Sequence, residues 1–178
     1  ITDGFSVTWS YKTTNGGLNW IPLSVPEMGP TSRVQFLNAS TGYVAGFDNI
    51  YKTTNSGANW FVINPISTFS RINYFHFFNE STAYVGADNS QFFTTTNGGA
   101  NWNGVLIPHY TFNSYFGINN FSFSDLHNGV ALLHDHIIVT TTNSGNNWIL
   151  KTNSLNHYTP FKAIEFIDNN TAILGGWG

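Results

Sequence analysis

Within short segments of this chain, apolar and polar residues alternate with a period of two. This pattern is typical of β-strands that are buried on one face. Segments such as Tyr51-Lys52-Thr53-Thr54 are rich in aromatic and β-branched residues and predict strands. Asn55-Ser56-Gly57 follows as a turn, because Asn bonds to its own backbone and Gly adopts positive φ. No stretch keeps a 3.6-residue period over a helical length, so the pattern predicts an all-β chain.

The strand–turn–strand pattern occurs four times without gaps. Its copies end at Trp20, Trp60, Trp102 and Trp148, at intervals of 40, 42 and 46 residues. We expect each Asn and Gly to form the turn and each Trp to be buried over its hairpin. The structural residues of the repeat are Asn15, Gly17, Trp20, Asn55, Gly57, Trp60, Asn97, Gly99, Trp102, Asn143, Gly145 and Trp148.

Two further strands precede each later copy of the motif. In the second repeat, residues 32–37 and 42–46 predict strands, and Asp48-Asn49 predicts a tight hairpin turn between the second strand and the motif. The corresponding predictions are 71–78 and 83–87, then 119–124 and 129–133, and finally 161–166 and 171–176. One unit is therefore four short antiparallel strands, which we designate A to D.

Four-stranded units with a period of about 40–50 residues are typical of the blades of a β-propeller. We expect one propeller domain over residues 1–178, with repeats at about 1–30, 31–68, 69–116 and 117–160 and a partial repeat at 161–178. Residues 4–7 predict the end of a strand B, so the first and last repeats would complete one another as a fourth, composite blade. The alternative is a part of a larger propeller, of up to about eight blades.

The segment from Thr13 to Trp20, TTNGGLNW, resembles the Asp-box, also called the BNR repeat. Asn stands where that family has Asp, and again where it has the final Thr. The longer phrase GYVAG followed by IYKTTNSG looks more like the photosystem II assembly-factor-like branch of these propellers, which is similar to exported bacterial surface proteins. The resemblance implies a propeller in which the repeat motif is structural. It also implies that the propeller as a whole holds a protein partner.

Composition narrows the classes of function. Charged residues make up 8% of the chain and the net charge is −3, so no basic face exists to bind nucleic acid. The absence of Cys excludes disulfides and zinc–thiolate sites. No apolar run approaches the roughly 20 residues of a membrane span. Polarity carried by Asn, Thr and Ser indicates a secreted or cell-surface protein, bacterial rather than eukaryotic.

Candidate catalytic chemistry is sparse, and we expect no cofactor and no enzymatic activity. The resemblance to the Asp-box family brings sialidases into question, and those enzymes bind the substrate carboxylate with a cluster of three Arg. This chain has only Arg33 and Arg71, so that cluster cannot form. A glycoside hydrolase needs two carboxylates on one face, and Asp48 and Asp88 occupy matching turns. Asp-Asn is also a common hairpin turn, which explains these acids as backbone-bonding residues.

One segment has a spacing that suits a metal ion. His134 and His136 flank Asp135, and His109 and His157 would be further ligands from neighbouring loops. A polar turn explains the same residues, and we expect no metal site.

Alternating strand directions give the propeller two distinct faces. The motif face carries the A–B turns and the C–D turns of the repeat motif. The long-loop face carries the B–C turns and the D-to-A links, and we expect a ligand there because long loops on a rigid scaffold usually carry function. The candidate ligand-binding residues are Trp9, Asp48, Asp88, His109, Tyr110, Tyr115, His134, Asp135, His136, His157, Tyr158 and Trp177.

Three functions remain as hypotheses. The first is a non-catalytic scaffold that binds a protein partner through the long-loop face. The second is a lectin-like module that binds glycan through the same aromatic residues. The third, a minor one, is a glycoside hydrolase. Self-association is a further expectation if the ring is incomplete.

Overall fold

The computed structural model describes residues 10–23, 33–63, 71–108, 117–133, 137–151 and 161–176. The regular elements of these residues are sixteen β-strands and one 3-10 turn at Asp88–Ser90, which confirms the all-β class. The strands are β1 (Ser10–Lys12), β2 (Ile21–Leu23), β3 (Arg33–Phe36), β4 (Gly42–Ala45), β5 (Ile50–Thr53), β6 (Phe61–Val62), β7 (Ile72–Phe77), β8 (Ala83–Ala87), β9 (Gln91–Thr95), β10 (Asn103–Leu106), β11 (Ile118–Phe123), β12 (Gly129–Leu133), β13 (Ile138–Thr141), β14 (Ile149–Lys151), β15 (Phe161–Phe166) and β16 (Ala172–Gly176).

The strands form three complete four-stranded sheets and two hairpins. Blade 1 is β3–β6, blade 2 is β7–β10 and blade 3 is β11–β14, each in sequential antiparallel order. β1 and β2 form the first hairpin, and β15 and β16 form the last hairpin. This arrangement is the predicted order of strands A to D. The predicted bounds coincide with those of β8, β12 and β15, and elsewhere they agree to within one residue.

The blades pack side by side through their A strands. β3 lies beside β7, β7 beside β11, and β11 beside β15, while the outer strands β6 and β14 are exposed. The B strands β4, β8 and β12 are buried along their whole length, whereas β16 is largely exposed. In one such interface the Tyr43 ring stacks on Phe77 with centroids 3.5 Å apart. The Gln35 amide also bonds across the blades, because its Nε2 donates to the Phe77 carbonyl and its Oε1 accepts from the Phe77 N–H.

The composite blade is not formed within the described residues, because no strand ladder there joins the first hairpin to the last hairpin. The strand predicted at residues 4–7 lies outside the described residues. On β3, Val34 and Phe36 are 63% and 47% exposed and line an apolar groove of about 710 Å³ beside the first hairpin. The same repeat positions of blade 2, Phe75 and Phe77, are buried under blade 1. An adjoining B strand is therefore what buries these positions.

The repeat motif folds through one hydrogen-bonded turn. In the second copy, the Thr53 hydroxyl accepts from the Gly57 N–H at 2.9 Å and donates to Asn55 Oδ1 at 3.0 Å. Asn55 Oδ1 also accepts from the Asn59 N–H at 2.8 Å. The copies beginning at Thr13, Thr95 and Thr141 repeat these bonds. The Asn side chain makes its contacts in this turn through its amide oxygen, so Asn serves in the place of Asp.

The motif tryptophans do not share one environment. Trp148 is 7% exposed and Trp20 is 60% exposed, while Trp60 and Trp102 are half-buried. β6 begins one residue after Trp60. The Trp60 indole folds back over the turn, where Nε1 donates to the Gly57 carbonyl at 3.1 Å. The expectation that each motif Trp is buried over its hairpin is wrong for Trp20, which is exposed.

Candidate functional site

Polar side chains from four neighbouring A strands meet where those strands converge. Arg33 comes from β3, Tyr74 and His76 from β7, Ser122 from β11 and Glu165 from β15. They surround a cavity of about 80 Å³, whose remaining walls are aromatic. We call this cavity the axial recess. Because its volume is well below the roughly 300–1,000 Å³ of small-molecule sites, the recess has room for a single polar group rather than for a whole small-molecule ligand.

Arg33 is held in place by an aromatic ring. Its guanidinium carbon lies 4.1 Å from the centroid of the Tyr74 ring, within the range of a cation–π contact. Its Nε is buried and has no hydrogen-bond partner within the part of the chain that the structure describes. Tyr74, Asn120 and Ala163 occupy the corresponding position of the other repeats, so Arg33 supplies a charge that the repeat itself does not require. A buried donor without a partner is costly, and an incoming acceptor would satisfy it.

The recess shifts the ionisation of its aromatic and imidazole groups. Burial raises the pKa of Tyr74; the Arg33 guanidinium lowers this pKa in part, and Glu165 raises it. Burial, and then repulsion by the Arg33 guanidinium, lower the pKa of His76. The Tyr74 hydroxyl therefore stays protonated, and His76 is a neutral imidazole near pH 7.

This neutral imidazole gives the fold an acid-sensitive point. An unfolded His titrates near 6.5, whereas His76 in the folded chain binds its proton only at lower pH. Between those two values the unfolded chain binds more protons, so the free energy of unfolding falls as the pH falls below about 6.5. We expect His76→Gln, which introduces the residue found at the corresponding position 35, to flatten this decrease. Urea denaturation at a series of pH values measures it; an unchanged slope would contradict the assignment.

The two predicted acids that the structure describes serve in turns. Asp48 is exposed and accepts from its neighbour Asn49 through Nδ2 at 2.7 Å. Asp88 is half-buried and accepts from Asn73 Nδ2 at 2.8 Å. A Cβ added to Gly117 would lie 2.7 Å from Asp88 Oδ1, so this carboxylate is packed against the next blade. Neither acid lines the axial recess.

The other candidate ligand-binding residues lie outside the described residues, and the structure does not test them. They are Trp9, His109, Tyr110, Tyr115, His134, Asp135, His136, His157, Tyr158 and Trp177. The part of the chain that is described contains no group of three His, Asp or Glu side chains arranged to hold a metal ion. Nor does this part contain a helix long and apolar enough to cross a membrane.

The axial recess is not among the sites predicted from the sequence, although the repeats carry a signal for it. Arg33 and Tyr74 each stand five residues before the Asn that forms the A–B turn, Asn38 and Asn79. Aligning the A strands on these turns shows one Arg and one Tyr side by side at a single repeat position. The predicted ligand-binding residues lie instead in the loops and turns, which are the usual location of function.

The four-stranded blades, packed side by side through their A strands, define this chain as a β-propeller. No family model matches the sequence. No curated protein matches it either.

Solved structures agree with the fold. YCF48 from Cyanidioschyzon merolae matches with a TM-score of 0.69 and 14% identity, over 94% of this chain and 60% of that one. YCF48 bound to D1 peptide matches with a TM-score of 0.52 and 13% identity, over 94% of this chain and 68% of that one. An ancestral GH74 enzyme matches with a TM-score of 0.76 and 16% identity, over 93% of this chain and 24% of that one.

These likenesses concern architecture. At such identities they establish the propeller fold and carry no residue roles. The chain spans about 60% of the length of the YCF48 chain and 24% of the GH74 enzyme.

Proposed function

We propose that this chain is a non-catalytic propeller that binds a protein partner, with Arg33 and Tyr74 as anchors. The observation that carries the proposal is the buried Arg33 Nε, which has no hydrogen-bond partner although the guanidinium is fixed against Tyr74. Arg and Tyr are enriched among the residues that dominate protein interfaces. An Arg already held by a ring loses less side-chain entropy on binding than a mobile one. A partner carbonyl or carboxylate would satisfy the free donor.

The position of Arg33 relates the recess to the long-loop face. Arg33 is the first residue of β3, so it lies at the end of the A strand next to the D-to-A link. The B–C turn of the same blade, which contains the exposed Phe47 and Asp48, belongs to that face as well. A partner covering these turns would reach the axial recess from the same side.

A solved structure with a similar fold supports the proposal of a protein partner. The matched YCF48 structure is bound to a D1 peptide, which shows that a related fold binds a polypeptide. GH74 enzymes share the fold too, so the architecture alone does not decide against catalysis. The two described turn acids favour the non-catalytic alternative, because Asp48 and Asp88 are occupied by neighbouring amides. We further propose, from composition, that the protein acts in a secreted or cell-surface setting.

The test compares two arginines. The partner is captured on the immobilised chain from an extract of the source cells, purified, and measured by biolayer interferometry. We expect Arg33→Ala to weaken binding at least tenfold, or about 1.4 kcal/mol. Arg71→Ala is the matched control, since Arg71 is exposed and does not line the recess. Equal affinities for the wild-type chain and Arg33→Ala, with both variants folded by circular dichroism, would overturn the proposal.

A further inference from the structure

Two neighbouring grooves on the motif face differ in the side chains that cross from one blade to the next. The groove between blades 1 and 2 is closed by an ion pair, in which Lys52 Nζ lies 3.4 Å from Glu80 Oε2. Lys52 Nζ also lies 5.6 Å from the centroid of the Tyr43 ring, within reach of a cation–π contact. The Thr41 hydroxyl donates to Glu80 Oε1 at 3.5 Å. These contacts link the two blades across the groove.

The next groove, between blades 2 and 3, lacks both members of this pair. Thr94 stands in the place of Lys52, because it pairs with Tyr84 as Lys52 pairs with Tyr43. Leu126 stands in the place of Glu80, one residue after the acceptor of the same A–B turn. A Thr side chain is too short to cross the groove. A cavity of about 550 Å³ is left between the blades, and we call it the open groove.

The lining of the open groove is rich in amides and hydroxyls and also includes His127. It contains no Lys, Arg, Asp or Glu among the described residues. Trp102 provides aromatic surface and is fixed by Nε1, which donates to the Gly99 carbonyl at 3.1 Å. Tyr84 is buried at the base of the groove, and its hydroxyl donates to the Leu126 carbonyl at 2.6 Å. The remaining walls are formed largely by Thr94, Thr96, Asn101 and their neighbours.

Part of the hydrogen-bonding capacity of the open groove is unused. The Asn101 backbone N–H donates to Asn97 Oδ1, and the Asn101 residue is exposed. The Thr94 and Thr96 hydroxyls make no hydrogen bond to another described side chain. At the rim, Asn103 Nδ2 donates to Asn146 Oδ1 at 3.5 Å and joins the two blades. Uncharged donors and acceptors therefore surround an aromatic wall.

We propose that the open groove binds a neutral oligosaccharide. Sugar hydroxyls both donate and accept hydrogen bonds, as amide and hydroxyl side chains do. The C–H faces of a sugar ring pack on aromatic rings such as Trp102. The volume of about 550 Å³ lies within the usual range for small-ligand sites. A charged peptide or a phosphate would find no opposite charge on these walls. This site is on the motif face and does not depend on the protein-binding function proposed above.

Calorimetric titration with maltotriose, cellotriose, laminaritriose, mannotriose and chitotriose tests the proposal. We expect saturable binding of at least one trisaccharide to the wild-type chain. Thr94→Lys combined with Leu126→Glu would rebuild the ion pair of the neighbouring groove and is expected to weaken this binding at least tenfold. Circular dichroism and thermal unfolding check that the double variant is folded.

A single substitution tests the site independently of the double variant. Asn101→Ala removes an exposed amide from the open groove and is expected to weaken binding about tenfold. Asn59→Ala is the matched control, because Asn59 is the exposed residue at the same position of the preceding motif. Absence of saturable binding for every trisaccharide overturns the proposal. So does equal binding by wild type and Asn101→Ala, or competition by an unrelated neutral peptide.

Discussion

Replacing Trp148 with Ala is expected to lower the free energy of unfolding by about 3–5 kcal/mol. Trp148 is 7% exposed and packs across the interface between blades 2 and 3. Its ring lies 4.9 Å from Phe92 of blade 2 and 6.1 Å from Phe123 of blade 3, both edge-to-face. Truncation removes this contact and leaves a cavity that two rigid sheets cannot collapse to fill.

The matched control is the same substitution in the first copy of the motif. Trp20 is 60% exposed, so Trp20→Ala is expected to cost less than about 1 kcal/mol. Trp60 is half-buried against Val44 and Tyr51, and we expect an intermediate loss at that position. Equilibrium denaturation in urea measures all three. Equal losses for Trp148→Ala and Trp20→Ala would show that the hairpin around each Trp, rather than the neighbouring blade, determines its contribution.

The strands could be predicted because their pattern is local. Alternation and the Thr-Asn-Gly turn define each hairpin without help from the rest of the chain, as the bounds of β8 and β12 show. The environment of each Trp could not be predicted in this way. Trp20 and Trp148 are each preceded by Asn and followed by Ile. Trp20 is nevertheless exposed, whereas Trp148 is packed on Phe92. The difference comes from the preceding blade, which the motif does not encode.

The candidate sites show the same limit. Arg33, His76 and Glu165 are far apart in sequence, and the inner strands of three different sheets bring them around one cavity. Aligning the motif copies shows that Thr94 stands where the preceding repeat has Lys52. The alignment does not show that an ion pair is lost, since the partner of Lys52 is Glu80 on the next blade. Pairs that cross a blade interface require the packing as well as the repeat.

The glycine of the fourth motif gives the second large effect. Gly145 has a φ of +80°, and a Cβ at this position would contact the ring of Phe92, which is fully buried. Left-handed backbone costs an L-residue roughly 1–2 kcal/mol, and overpacking a rigid core costs about 1–3 kcal/mol more. We therefore expect Gly145→Ala to lower the free energy of unfolding by about 2–5 kcal/mol in urea denaturation.

Gly17, the residue at the same position of the first motif, separates these two costs. Its φ is +91°, but a Cβ there would lie 4.0 Å from the nearest atom, on the Trp20 ring, which is ordinary van der Waals contact. Gly17→Ala should therefore carry the backbone cost alone, about 1–2 kcal/mol. The difference between the two variants measures how firmly Phe92 is held between blades 2 and 3. If Gly145→Ala cost no more than Gly17→Ala, the Phe92 ring would have to move aside freely, which contradicts the close packing of this interface.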